Sequence, residues 1–390
     1  MPVSRSVLIG ITGIDGCGKG YITDKIAIDL NQQGMKVASI KVKRKILSSG
    51  FLNFIQAMVI IVIILQIVLV RTEEVNSSIA TSGTIVRLDP RLDQLVPQGA
   101  VLEKLAEGFT WVEGPVWNRE GGYLLFSDIP GNSVFKWKEE EGVSLYLKPS
   151  GYSGPVPFKG KEPGSNGLTF DSTGRLVLCE HGDRRVSRLE KNGTKTTLAD
   201  RYEGKRLNSP NDLVFKSTGD LYFTDPPFGL PETFNDPAKE LPFQGVYRLS
   251  DGGKLTLLTK DIKAPNGIAF SPDEKILYVT DVDPKRSAWL VFDVKDDGTI
   301  TNGRVFYDAM PFTKRMKGAP DGLKVDINGN LFAAGPGGVY VFSPDGTHLG
   351  TIVTGVPTSN VGWGNDGSVL YITASDSIYR IKLNTKGKGF

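Results

Sequence analysis

The chain has 390 residues, 46 Lys+Arg against 43 Asp+Glu, two histidines and two cysteines. Two histidines exclude a three-histidine zinc centre, no His-Glu-x-x-His pair is present, and no Gly-x-Ser-x-Gly elbow marks a serine hydrolase. Residues 1–50 carry a net +5 and the remaining 340 sum to −2, so most of the chain is nearly neutral, with no basic surface for nucleic acid and no segment marking an obligate protein partner.

Composition divides the chain at 1–45, 46–71, 72–100 and 101–390. The first stretch looks like the opening of a P-loop kinase. An apolar strand over 7–12 leads into Gly13-Ile-Asp-Gly-Cys-Gly-Lys19-Gly20, then a helical pattern to about residue 33 and a second strand over 36–42. Backbone N–H groups of such a loop, with Gly18 and Lys19, would cradle phosphate oxygens. Gly20, however, stands where a Ser or Thr hydroxyl would hold magnesium, and the segment ends after one β-α-β unit. A truncated remnant is expected here, not a working nucleotide site.

Residues 46–70 contain no charge, and 51–70 are long enough to cross a bilayer core as one helix. Lys41, Lys43, Arg44 and Lys45 precede the run, while Glu73 and Glu74 follow it. The positive-inside rule then predicts an uncleaved anchor with a cytoplasmic N-terminus and a periplasmic or extracellular C-terminal domain. Residues 72–100 read as a polar connector whose later part packs on the edge of that domain. Cys17 and Cys179 fall on opposite sides of the predicted membrane, so no internal disulfide is expected, and Cys179 reads as small core filler.

From residue 101 onward one unit recurs. A turn, a short apolar strand, a polar turn and a second β-rich strand appear at 113–128, 166–180, 211–225, 264–281 and 321–335, with a weaker copy at 360–374. The anchors Trp117, Phe170, Phe215, Phe270, Val325 and Trp363 are 53, 45, 55, 55 and 38 residues apart. Repeats of this length with several short strands each predict an all-β, six-bladed β-propeller. Four residues before each of the first five anchors stand Glu113, Asn166, Asn211, Asn266 and Asp321. A propeller places equivalent positions around one axis, so five oxygen donors converge at one channel mouth. Turn chemistry accounts for Asn and Asp at such places but does not favour Glu. The set suits a hard cation, Ca2+ first, with Zn2+, Mn2+ or Mg2+ as alternatives.

Glu113-Gly-Pro-Val-Trp117, Ser209-Pro-Asn-Asp-Leu213, Pro265-Asn-Gly267 and Pro320-Asp-Gly322 resemble, in order, the calcium-dependent propellers of the regucalcin and gluconolactonase family. The resemblance covers about residues 100–385. It implies one catalytic divalent ion held by Glu113, Asn211, Asn266 and Asp321, with Asp321 also the catalytic base or nucleophile. Regucalcin's arginine two residues before the matching asparagine is absent here. Position 209 is Ser, and the nearest arginine is Arg206. The implied activity is opening of a sugar lactone, with organophosphate hydrolysis or a non-catalytic calcium-binding scaffold as alternatives. Candidate substrate contacts are Asn166, His181, Asn211 and Arg206, with Arg184 and Arg185 nearby. The Gly- and Pro-rich loops 151–165 and 226–243 are candidate lids. His348 reads as a solvated residue of an outer hairpin, and Asp128, Glu180, Asp225 and Asp281 as turn caps.

Overall fold

A computed structural model describes residues 83–390. Six antiparallel sheets follow in chain order as blades 1 (112–147), 2 (165–199), 3 (213–259), 4 (265–308), 5 (323–353) and 6 (358–382). The innermost strands touch one another in succession, and that of blade 6 packs against that of blade 1. The six-bladed propeller predicted from the repeat is therefore closed.

Alternating apolar residues put one face of each blade against its neighbour. The interior is accordingly divided into six apolar layers, each shared by two adjacent blades. Leu125 and Val134 of blade 1 meet Leu168 and Leu178 of blade 2. Trp289 of blade 4 packs at a tilt among Tyr340 and Phe342 of blade 5. Cys179 is fully buried between blades 2 and 3, where burial raises its thiol pKa far above the ordinary value.

Blade 6 has only three strands of its own, and Glu103–Glu107 from the other end of the domain pairs with Ser377–Lys382 to complete it. This joins the first and last strands of the propeller by hydrogen bonds. Blade 5 gains a fifth strand, Thr84–Arg87, alongside His348–Val353. Leu92, Leu95 and Val96 then fill the layer between blades 5 and 6.

The membrane anchor expected over 46–71, and the membrane attachment and export drawn from it, are corrected. Among the described residues no helix is long and apolar enough to cross a membrane. The α-helices seen there, Leu92–Leu95 and Met310–Thr313, have four residues each, whereas a span needs about 20. The segments 1–45 and 46–71 themselves lie outside the described residues.

Candidate active site

In blades 1, 2 and 4 the innermost strand opens with an irregularity beside the candidate donor. Pairing with the second strand slips between Glu113 and Val116, between Ser165 and Leu168, and between Pro265 and Ile268. Bulges of this kind redirect a side chain that a regular strand would bury between blades. In blades 3 and 5 regular pairing begins only at Leu213 and Leu323, just after Asn211 and Asp321. The following glycine explains how tightly the blades meet. A Cβ at Gly114 would lie 2.3 Å from the carbonyl oxygen of Asn166, and one at Gly267 would lie 2.3 Å from that of Asp321.

In blades 1, 3 and 4 the last residue of the second strand fixes the loop leading into the innermost strand. Asp225 accepts from the N–H groups of Asn208 and Ser209, both at 2.8 Å, and Asp128 accepts from those of Thr110 and Trp111. Asp281 accepts from Ala264 N–H at 3.1 Å. Burial pushes the Asp225 carboxyl up to about 7, against the opposing pull of those two N–H donors.

Glu113, Asn166, Asn211 and Asn266 are buried, and Asp321 is half-buried. Asn166 Oδ1, Asn211 Oδ1 and Asp321 Oδ1 are sealed from solvent and accept no hydrogen bond among the described residues. Buried polar atoms are almost always paired, so three orphaned oxygens at equivalent positions of three blades mark a place built for something else. Glu113 Oε2 accepts from its neighbour Gly114 N–H at 2.8 Å and from Asn360 Nδ2 of blade 6 at 2.9 Å.

Burial raises the Glu113 carboxyl to about 8, and the negative charge of Asp212 adds to the shift. Asp321 is raised well above the ordinary value, first by burial and then by Glu113, Asp212 and Glu162. Two coupled carboxyls that resist ionisation, beside orphaned amide oxygens, fit a cation whose charge would offset theirs. The set that could hold such a cation is two carboxylates with amides. Among the described residues no group of three His, Cys, Asp or Glu is arranged to hold a metal.

Other side chains of the site carried no signal in the repeat. Asp212 is buried beside Asn211, with Oδ2 unpaired except for Lys324 Nζ at 3.9 Å. Lys324, from the innermost strand of blade 5, lowers the Glu113 pKa. Glu162 projects from the 151–164 loop towards His181 Nδ1, 3.1 Å away. His181 is completely buried, and its Nε2 lies 3.4 Å from Asn166 Nδ2.

The arginines stand elsewhere. Arg206 donates to the carbonyl of Asp183, Arg184 to those of Leu207 and Asn208, and Arg185 to the Glu180 carboxylate. Ser209 is completely buried. Its hydroxyl donates to Pro226 O at 2.6 Å and accepts from Gly229 N–H at 2.9 Å, so it anchors the 226–243 loop. His348 is not a solvated residue: it packs among Tyr307, Phe312, Tyr340 and Phe342, and burial lowers its pKa.

This geometry has counterparts. The SMP-30/Gluconolactonase/LRE-like region matches residues 111–376. The chain belongs to that family. A gluconolactonase of Zymomonas mobilis is 40% identical over 318 residues, which cover 80% of this chain and 89% of that one. Among solved structures, a gluconolactonase of this family from Xanthomonas campestris is 33% identical, with a TM-score of 0.66 over 78% of this chain and 97% of that one. Regucalcin from Agrobacterium tumefaciens, described as calcium-binding, shares the fold at 20% identity, with a TM-score of 0.57 over 74% of this chain and 94% of that one. None of these family matches supports the P-loop reading of residues 1–45, with Gly18 and Lys19 as nucleotide contacts.

Proposed function

We propose that the protein is a lactone hydrolase that opens a sugar lactone, of the gluconolactone kind, to its acid at the channel mouth. The observation that carries the reading is the convergence of orphaned buried oxygens with two coupled carboxyls, Glu113 and Asp321. Family membership and the name of the Zymomonas relative support the choice of lactone.

Glu113, Asn211, Asn266 and Asp321 would hold a divalent cation, Ca2+ first. Bound there, it supplies positive charge that polarises a lactone carbonyl and stabilises the developing oxyanion. Asp321 Oδ1 has no competing donor and takes the proton of the attacking water. Burial, with Glu113, Asp212 and Glu162 nearby, raises its affinity for that proton. The water oxygen bonds to the carbonyl carbon, the ring C–O bond breaks, and the ring oxygen leaves as a hydroxyl after receiving a proton. Asn166 and Asn211 orient the substrate. Glu162 on its loop and Ser209, which anchors the facing loop, frame the entrance. Position 209 is a buried serine, so a carboxylate-bearing substrate has no guanidinium partner there.

The full chain, stripped with chelator and assayed on gluconolactone with and without Ca2+, tests the reading. Ring opening should return with the ion. In Asp321→Asn it should fall roughly 100-fold or more, as expected for loss of a general base. Tight cation binding with no turnover on any lactone would overturn the enzyme and leave a scaffold.

A further inference from the structure

The mechanism above gives no task to the contact between Glu162, His181 and Asn166. His181 directly follows the second strand of blade 2, Leu176–Glu180, and is completely buried. The facing loop packs directly on it: a Cβ at Gly229 would lie 2.5 Å from His181 Cβ. On one side Nδ1 lies 3.1 Å from Glu162 Oε2, without full hydrogen-bond alignment. On the other, Nε2 lies 3.4 Å from Asn166 Nδ2.

An ionised carboxylate can only accept hydrogen bonds, so a neutral imidazole facing one carries its proton on Nδ1. Nε2 is then a lone pair, and a lone pair attracts the NH2 end of the Asn166 amide, not its oxygen. The amide oxygen must consequently point the other way, into the channel, where Oδ1 is buried and unpaired. The Asn166 backbone is held separately, because its carbonyl accepts from Ser127 Oγ at 2.9 Å. Only the amide flip remains free, and the histidine tautomer decides it.

We propose that Glu162 and His181 are positioning residues that fix the Asn166 amide, so that a loop carboxylate determines whether blade 2 shows the channel an oxygen or an NH2 group. An oxygen there accepts from a substrate hydroxyl, which selects polyhydroxylated lactones over apolar ones. This consequence rests on the lactone-hydrolase reading; the relay itself does not.

The chain has two histidines, so the full protein labelled with 15N-histidine gives two ring spin systems, assigned by the loss of one in His181→Gln. In neutral to mildly alkaline buffer His181 should be the Nδ1–H tautomer, and Glu162→Ala should shift it towards Nε2–H. An Nε2–H ring in the parent, or a tautomer indifferent to Glu162→Ala, would overturn the relay. With gluconolactone, Glu162→Ala should raise KM roughly three- to tenfold, the scale of one lost hydrogen bond, with the effect carried mainly in KM. That penalty should vanish when Asn166→Asp is already present, because a carboxylate shows the channel an oxygen in either orientation. An equal penalty in both backgrounds would also overturn the proposal. If the parent opens no lactone, the hydrolase reading fails, and the tautomer still decides the relay.

Discussion

Burial makes both Glu113 and Asp321 resist ionisation, and the charge of Glu113 raises Asp321 further. This gives the cation-free protein a pH dependence of known sign. Burial in the folded state pushes the Glu113 carboxyl up to about 8, from an ordinary value near 4.5. Across that window the folded form holds a proton that the unfolded form has lost, so its contribution to stability is complete below about 4.5 and is lost as pH rises through about 8. Chelated protein should therefore melt at progressively lower temperature from pH 5 to 8, and a divalent cation should remove most of that slope. Because Glu113 must shed its proton to act as a donor, affinity should weaken up to about tenfold per pH unit below 8. Titration calorimetry in buffers of different ionisation enthalpy reads the released proton. A flat affinity profile would place Glu113 outside the donor set.

The bulged innermost strand is the element that makes the site. In blades 1 and 4 it combines a candidate donor, a small residue that lets the next blade approach, and an acid on the second strand that fixes the loop before the bulge. Gly267→Ala would drive a methyl group into the Asp321 carbonyl and to 2.8 Å from Gly322 Cα, contacts that no rotamer relieves. The expected cost is about 1–3 kcal/mol, the usual range for overpacking, which lowers Tm by several degrees. Because the strain falls on the backbone of Asp321, lactone turnover should drop more than stability does. Blade 3 departs from the pattern by placing Asp212 where its neighbours have glycine. That substitution brings a further buried acid into the channel, opposite Lys324.

At the scale of the molecule, stability depends on closing the circle. Blade 6 lacks a fourth strand until Glu103–Glu107 returns to it, and without that pairing Tyr379 and Ile381 lose their cover. A chain starting at residue 111 should lose its single cooperative unfolding transition and its resistance to protease. One whose Leu92 and Leu95 are both replaced by Ser should remain closed but melt at lower temperature, since those side chains fill one layer between blades 5 and 6. Circular dichroism melts separate the two cases, and an intact sharp transition in the chain from 111 would sink the closure argument.

Much of the architecture was legible in the amino-acid order. Turn residues, period-two strands and a repeat of about 50 residues are local patterns, and they located the second strands Leu176–Glu180, Leu221–Asp225 and Leu331–Gly335 to the residue. The candidate donor positions were readable for the same reason, since each sits at a fixed offset from its own anchor. What the sequence could not display is contact between residues that no period relates. Arg206 looked like a replacement for a missing arginine, yet packing turned it onto the Asp183 carbonyl. Glu162 lies on an irregular loop, and Lys324 alternates innocently along its strand, so neither stands out before blades 2, 3 and 5 are set around one axis. An apolar run also reads the same as a local pattern whether or not it meets lipid. Local periodicity thus determined the blades and the candidate donor positions. Only the closed tertiary structure decided which donors lie unpaired, which charges face each other, and which strand seals the circle, because these depend on distances that close only when the ends of the chain meet.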